Sequence, residues 1–233
     1  MRAHYAAAME LEDHTSGRRI RSTNVAHARP DPGGANRESG IDKRPVPQLT
    51  VFTPGPSYGD GPGVVGDTVG DSAHHGGAQK AVYAFAREEL DHWEGALGRT
   101  LTDGFFGENL TTEGLVLHEL VINQQLRIGS ALLEVSVPRS PCRTFAGWLA
   151  ERGWLKKFTV RGRCGSYFRV VQPGTITAGD PVELRPAPEH GITMAQAFAA
   201  AMGDVPAQHA LVEAACLPPM YHQRYVDQIA ARR

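Results

Sequence analysis

The stretch LLEVSVPRSPCRTFAGWL, residues 132–149, changes its periodicity halfway along. Leu133, Val135 and Val137 alternate with Leu132, Glu134 and Ser136, the period of two that marks a half-buried strand. Pro138 has no N–H to give to a ladder and ends the pairing. Arg139, Ser140 and Pro141 carry the chain to Cys142. Beyond it Phe145, Trp148 and Leu149 fall three and four apart, the spacing of a helix. The stretch predicts a strand, a proline-stiffened turn and a helix, with Cys142 at the junction and Arg139 and Arg143 on either side. Positive charge and a helix N-terminus both favour thiolate, the form that attacks electrophiles and binds metals. A lone cysteine also reads as a small side chain filling a turn, but the arginines and prolines favour the functional reading.

Outward from this stretch, short strands are expected at 48–52, 81–86, 115–116, 125–128, 132–137, 167–172, 175–176 and 182–184. Turn formers such as Gly129-Ser130, Pro173-Gly174 and Gly179-Asp180 separate several of them. A helix over 87–97 carries Leu90, Trp93 and Leu97 on one face, acidic residues near its start and Gly98 at its stop. Many short strands with regular turns indicate a mainly β protein with some α, its sheet barrel-like rather than parallel βαβ. After Pro186 and Pro188 the pattern becomes helical. Thr193 and Gln196 form a capping box, followed by an apolar stripe from Met194 to Met202. A second helix is expected over 207–216 and a third after Pro218-Pro219. Residues 1–24, with a basic cluster at Arg18, Arg19 and Arg21, are expected to be a flexible extension. Residues 25–186 form the main domain and 187–233 a three-helix segment.

The 233 residues carry 24 Lys and Arg against 25 Asp and Glu. Near-zero net charge gives no general attraction to nucleic acid or to an anionic membrane. The three helices could mimic a DNA-binding module, but Arg232 and Arg233 are its only concentrated positive charge, so DNA binding is not expected. Cys142, Cys164 and Cys216 are far apart and contain no CxxC, which excludes a zinc or iron–sulfur framework and suits a reducing, cytoplasmic setting. No apolar run reaches transmembrane length, and the start lacks the apolar core of a signal peptide.

Three polar turns add candidates: Lys43-Arg44 before Pro45, His74-His75-Gly76-Gly77, and Gly107-Glu108-Asn109-Leu110. Glycines let backbone amides approach an anion, and Lys or Arg supplies charge for a phosphate. The adjacent histidines lack the spacing of a helical metal pair. His75 and Asn109 could also serve Cys142 in a cysteine hydrolase, although no protease signature surrounds it. Cys164 and Cys216 read as inert.

In order, the chain contains SGIDKRPV (39–46), VVGDTVGDSAHHGGAQKAVYAF (64–85), FGENLTTEGL (106–115) and RIGSALLEVSVPRSPCRTF (127–145). This set closely resembles the MOSC family, named for the C-terminal domain of molybdenum cofactor sulfurases, over residues 25–184. The tail, with LVEAACLPP at 211–219, resembles the three-helix extension of the stand-alone bacterial YiiM-type members. The resemblance implies a β-rich fold of the pyruvate-kinase barrel type and the molybdenum cofactor. It makes Cys142 the expected molybdenum ligand and catalytic residue. Arg139, His75, Gly76 and Asn109 become expected cofactor contacts, and Lys43 a contact to the pterin phosphate. It also implies reduction of N-hydroxylated substrates such as 6-N-hydroxylaminopurine. With no flavin fingerprint and no iron–sulfur cysteine set, electrons are expected from a separate donor protein. An alternative is a non-catalytic carrier of cofactor or persulfide sulfur, and a third is a binding module whose tail recruits a partner. Pyridoxal phosphate, used by the desulfurase domain of cofactor sulfurases, is not expected in this chain. A homodimer through the tail is left open.

Overall fold

A computed structural model describes residues 17–232. Strands β1 (Arg19–Ala26), β2 (Arg29–Pro30), β3 (Glu38–Ser39), β4 (Lys43–Val46) and β5 (Gln48–Val51) come first. β6 (Val82–Ala86) runs directly into α1 (Arg87–Leu97), followed by β7 (Leu110–Glu113). β8 (Gln125–Ile128) and β9 (Ala131–Val135) form a hairpin and lead to α2 (Arg143–Leu149) and α3 (Trp154–Arg161). β10 (Ser166–Gln172), β11 (Gly174–Thr177) and β12 (Val182–Leu184) complete the sheets, and α4 (Met194–Ala201), α5 (Val205–Ala214) and α6 (Pro219–Ala230) form the tail.

Eight strands make one sheet in the order β12-β8-β9-β10-β6-β7-β1-β4. Its one parallel pair, β6 with β7, is the pair that α1 connects as a crossover. The sheet curls until β12, at one end, meets the start of β1, the strand next to the other end. Ile20 N–H donates to the Asp180 carbonyl at 2.9 Å and Val182 N–H to the Arg18 carbonyl at 3.0 Å. The result is a mixed-sheet half-barrel with three C-terminal helices, the class that the strand count predicts. Its interior is lined by Ile20, Val82, Leu110, Leu126, Leu133, Val135, Phe168 and Val182, all fully or almost fully buried. Outside the sheet, Phe106, Phe145, Trp154 and Phe158 pack edge to face and anchor α2 and α3. Among the described residues no helix is long and apolar enough to cross a membrane.

Three expectations change. Residues 19–24, read as part of an extension, belong to β1, which pairs with both β7 and β4. The remainder of that expectation, residues 1–16, lies outside the described residues. The strand expected at 115–116 is instead β7, which ends where Gly114 turns with φ near +71°. α3 is a helix that the apolar spacing does not predict. In the tail the capping box forms as expected, and Asp204 starts α5 two residues early by accepting from Ala207 N–H at 2.8 Å.

Candidate functional site

β9 and β10 keep exchanging hydrogen bonds up to the proline. Ser136 N–H donates to the Tyr167 carbonyl, and Tyr167 N–H to the Val137 carbonyl. The chain then leaves the sheet, and Cys142 sits half-buried as the residue preceding α2, in an extended conformation. The strand, turn and helix around the cysteine are those its sequence predicts.

Facing Cys142 is the His74–Gly77 loop. Gly76 and Gly77 have φ of +81° and +73°. A Cβ on Gly77 would lie 2.0 Å from the Ser57 carbonyl oxygen, and one on Gly76 2.9 Å from that of Gly61. Glycine is required here so that two loops can pass at contact distance. Glu108 secures the neighbouring turn, accepting from the N–H groups of Gly104 (2.7 Å) and Phe106 (2.9 Å). Its complete burial pushes the carboxyl up to about 7.

The structure brings all six expected residues, Lys43, His75, Gly76, Asn109, Arg139 and Cys142, to one cleft of two connected chambers. The inner chamber is lined by Lys43, Asp67, Gly76, Tyr83, Asn109 and Arg139. The outer chamber, about 380 Å³, is walled by Tyr58, the 138–143 turn, and Leu217, Tyr221, Arg224 and Tyr225 of the helical tail. Cys142, His75, Lys80 and Tyr167 line both.

Charge is distributed unevenly. Lys43 is neutralised by Asp67, in an ion pair whose side chains are 7% and 5% exposed. Asn109 is held by Tyr83 N–H and by Asp67, so both residues brace the inner wall. Arg37 is paired with Asp31 and Asp71. Arg139, Lys80, Arg143 and Arg224 form no ion pair among the described residues. The Arg139 guanidinium lies 3.9 Å from the centre of the Phe145 ring and 4.9 Å from that of Tyr83. Lys80 Nζ donates to the His74 carbonyl and lies 4.9 Å from the Tyr58 ring centre and 5.5 Å from that of Tyr167. Burial, reinforced by Arg224, pushes its ammonium down to about 8. Burial also pushes His75 down to about 3, with Lys80 and Arg139 adding to the effect, so its imidazole is neutral. The cleft therefore presents unpaired positive charge beside a thiol.

Lys80, Tyr167 and Arg224 line the cleft although motif reading does not single them out. Lys80 stands three residues after Gly77 in the same polar segment, a signal that could have found it. Cys164 is completely buried behind the cleft wall, where its carbonyl accepts from the Tyr83 hydroxyl at 2.8 Å, and burial pushes its thiol up to about 12.

The donor set fits a metal that brings its own ligands. Among the described residues no group of three or more His, Cys, Asp or Glu could hold a metal ion. One soft sulfur bordered by unpaired cations suits an anionic metal cofactor.

A model of the MOSC domain matches residues 71–183, which include Cys142, Arg139, Asn109, His75 and Gly76 but not Lys43. The uncharacterized protein YflK of Bacillus subtilis is 34% identical over 161 residues, 69% of this chain and 70% of YflK. A protein named reductase from Gibberella moniliformis is 33% identical over 148 residues, 61% of this chain but only 26% of that protein. The crystal structure of YiiM from Geobacillus stearothermophilus superposes with a TM-score of 0.72 at 26% identity, covering 90% of this chain and 98% of that one. The similarity spans the half-barrel, the cysteine turn and the helical tail, and the chain belongs to the MOSC domain family.

Proposed function

We propose that this chain is a molybdenum-cofactor-dependent oxidoreductase that reduces the N–O bond of N-hydroxylated substrates, with Cys142 as the metal ligand. The observation that carries the proposal is the half-buried thiol of Cys142 at the meeting point of two chambers, surrounded by cations that lack carboxylate partners. In the overall reaction R–NHOH takes up two electrons and two protons and yields R–NH₂ and water. The cofactor, when bound, would supply the two-electron centre that takes the oxygen.

This chain's own residues bind and orient. Arg139 and the backbone around Gly76 hold the anionic end of the cofactor in the inner chamber. Neutral His75 offers a hydrogen bond without adding to the positive charge. Tyr167 bears a proton in the chamber that it shares with Cys142. The substrate occupies the outer chamber, where the tail limits access to water. Electrons arrive from a separate redox protein. The reductase name of the Gibberella moniliformis relative supports the oxidoreductase class.

The test is molybdenum per chain after expression in a host that makes the cofactor, for wild type beside Cys142→Ser. The expected result is near-stoichiometric metal in the wild type, at least a tenfold loss in the variant, and conversion of 6-N-hydroxylaminopurine to adenine with an electron mediator. Metal retained equally by both proteins would remove Cys142 as the essential ligand. A persulfide on Cys142 with no metal in either protein would replace the reductase reading with the sulfur carrier.

A further inference from the structure

The outer chamber carries more positive charge than the proposed chemistry needs. A neutral N-hydroxylated base requires hydrogen bonds and a ring-shaped slot, not cations. Lys80, Arg143 and Arg224 nevertheless line this chamber with no ion-pair partner among the described residues. Its one carboxylate, Asp71, is already paired with Arg37. The chamber also has an aromatic lining. The Tyr58 and Tyr221 hydroxyls bond to each other across the cleft, joining the 53–63 loop to α6, and Tyr167 and Tyr225 complete the wall. The Arg224 guanidinium lies 5.5 Å from the Tyr221 ring centre, and Lys80 Nζ lies 4.9 Å from that of Tyr58. The two cations thus flank the tyrosine pair from opposite elements. Its volume of about 380 Å³ falls within the range of small-molecule pockets, roughly 300–1,000 Å³, whereas the inner chamber does not reach it.

A planar ring system beside tyrosines, attached to a group of two negative charges, matches this lining on both counts. We propose that the outer chamber selects the phosphorylated form of its substrate, the 5′-monophosphate of an N-hydroxylated nucleoside, with Lys80 and Arg224 on the phosphate and the base against Tyr58 and Tyr221. The assignment rests on the N–O reductase reading for the N-hydroxyl group alone. The preference for a phosphorylated ring compound follows from the lining. It gives the helical tail a role in specificity, because Tyr221 and Arg224 both belong to α6. The cofactor's phosphate is the other anion that could claim these cations, and the test separates the two.

The experiment uses the full, molybdenum-loaded chain and two unreactive probes, adenosine 5′-monophosphate and adenosine. Their dissociation constants are measured by calorimetry at physiological salt, because surface charge is overstated at low ionic strength. The expected result is binding of the monophosphate at least tenfold tighter than that of the nucleoside. Arg224→Gln should bring the two within about threefold, and Arg224→Lys should keep most of the preference. Molybdenum content should be the same in all three proteins. Equal binding of the two probes by wild type, or an unchanged preference in Arg224→Gln, overturns the proposal. So does loss of molybdenum in Arg224→Gln, which would assign the cation to the cofactor. If no N–O substrate is reduced but the monophosphate preference holds, the reductase reading fails and the phosphate site stands.

Discussion

Lys43 and Asp67 form a buried ion pair that closes the inner wall of the cleft. Asp67 also accepts from Asn109 Nδ2 at 2.8 Å and from Ala26 N–H at 2.9 Å. Asn109 in turn accepts from Tyr83 N–H at 3.2 Å. One carboxylate thereby connects β4, β1, β6 and the turn before β7. Removing one partner of a buried pair strands the other charge, at about 3–5 kcal/mol. Lys43→Met is expected to lower the unfolding free energy by about that amount in urea titrations. Adding Asp67→Asn should recover part of it by removing the stranded carboxylate. Wild-type stability in Lys43→Met would mean that the pair does not hold the wall.

The neutral state of His75 has a consequence on the acid side. Its imidazole is pushed down to about 3, chiefly by burial, from an ordinary value of 6.5. As pH falls below 6.5 the unfolded chain takes up a proton that the folded chain refuses, so stability is lost from about pH 6.5 toward pH 3. The ring resonances of His75 are expected to stay fixed between pH 5 and 8 in an NMR titration. His75→Gln should make the acid-side decline in stability shallower. A ring that titrates near 6.5 would place the imidazole in water and remove the uncharged hydrogen-bonding role.

The strands and helices that alternate or repeat apolar residues are legible in the sequence: β8 to β10, α1 and the capped tail helices. β1 is hidden because its middle residues, Ser22, Thr23 and Asn24, are buried through hydrogen bonds rather than apolarity. Thr23 Oγ1 donates to the Val46 carbonyl, Ser22 Oγ to Asn24 Oδ1, and Asn24 Nδ2 to Thr111 Oγ1. β7 is hidden because it too buries polar residues: Thr111 Oγ1 donates to Glu108 Oε1 at 3.0 Å, and Thr112 is inside without a side-chain partner among the described residues. α3 turns only Trp154 and Phe158 inward and leaves Leu155 and Val160 exposed, which blurs its periodicity. The site follows the same division. The turns holding Cys142, Gly76 and Asn109 announce themselves through proline and glycine. Which cations are free does not, because Lys43 is neutralised from position 67 and Lys80 meets Arg224 only through the fold.

Arg139 separates a structural cation from a functional one. It is 5% exposed, donates to the Phe106 carbonyl and lies between aromatic rings, with no carboxylate partner among the described residues. A buried charge without a counter-ion costs several kcal/mol, and cation–π contact returns about 2 kcal/mol of that. A residue kept only to stabilise the fold would be better replaced by an apolar one of similar length. Arg139→Met in the cofactor-free protein is therefore expected to unfold at the same urea concentration as wild type or a higher one. The same variant should retain at least tenfold less molybdenum when made in a cofactor-producing host. The two changes in opposite directions identify strain held for a ligand. A loss of about 2 kcal/mol or more in the cofactor-free variant, with molybdenum retained, would make Arg139 a brace for the aromatic layer and leave the cofactor's anionic end to other residues.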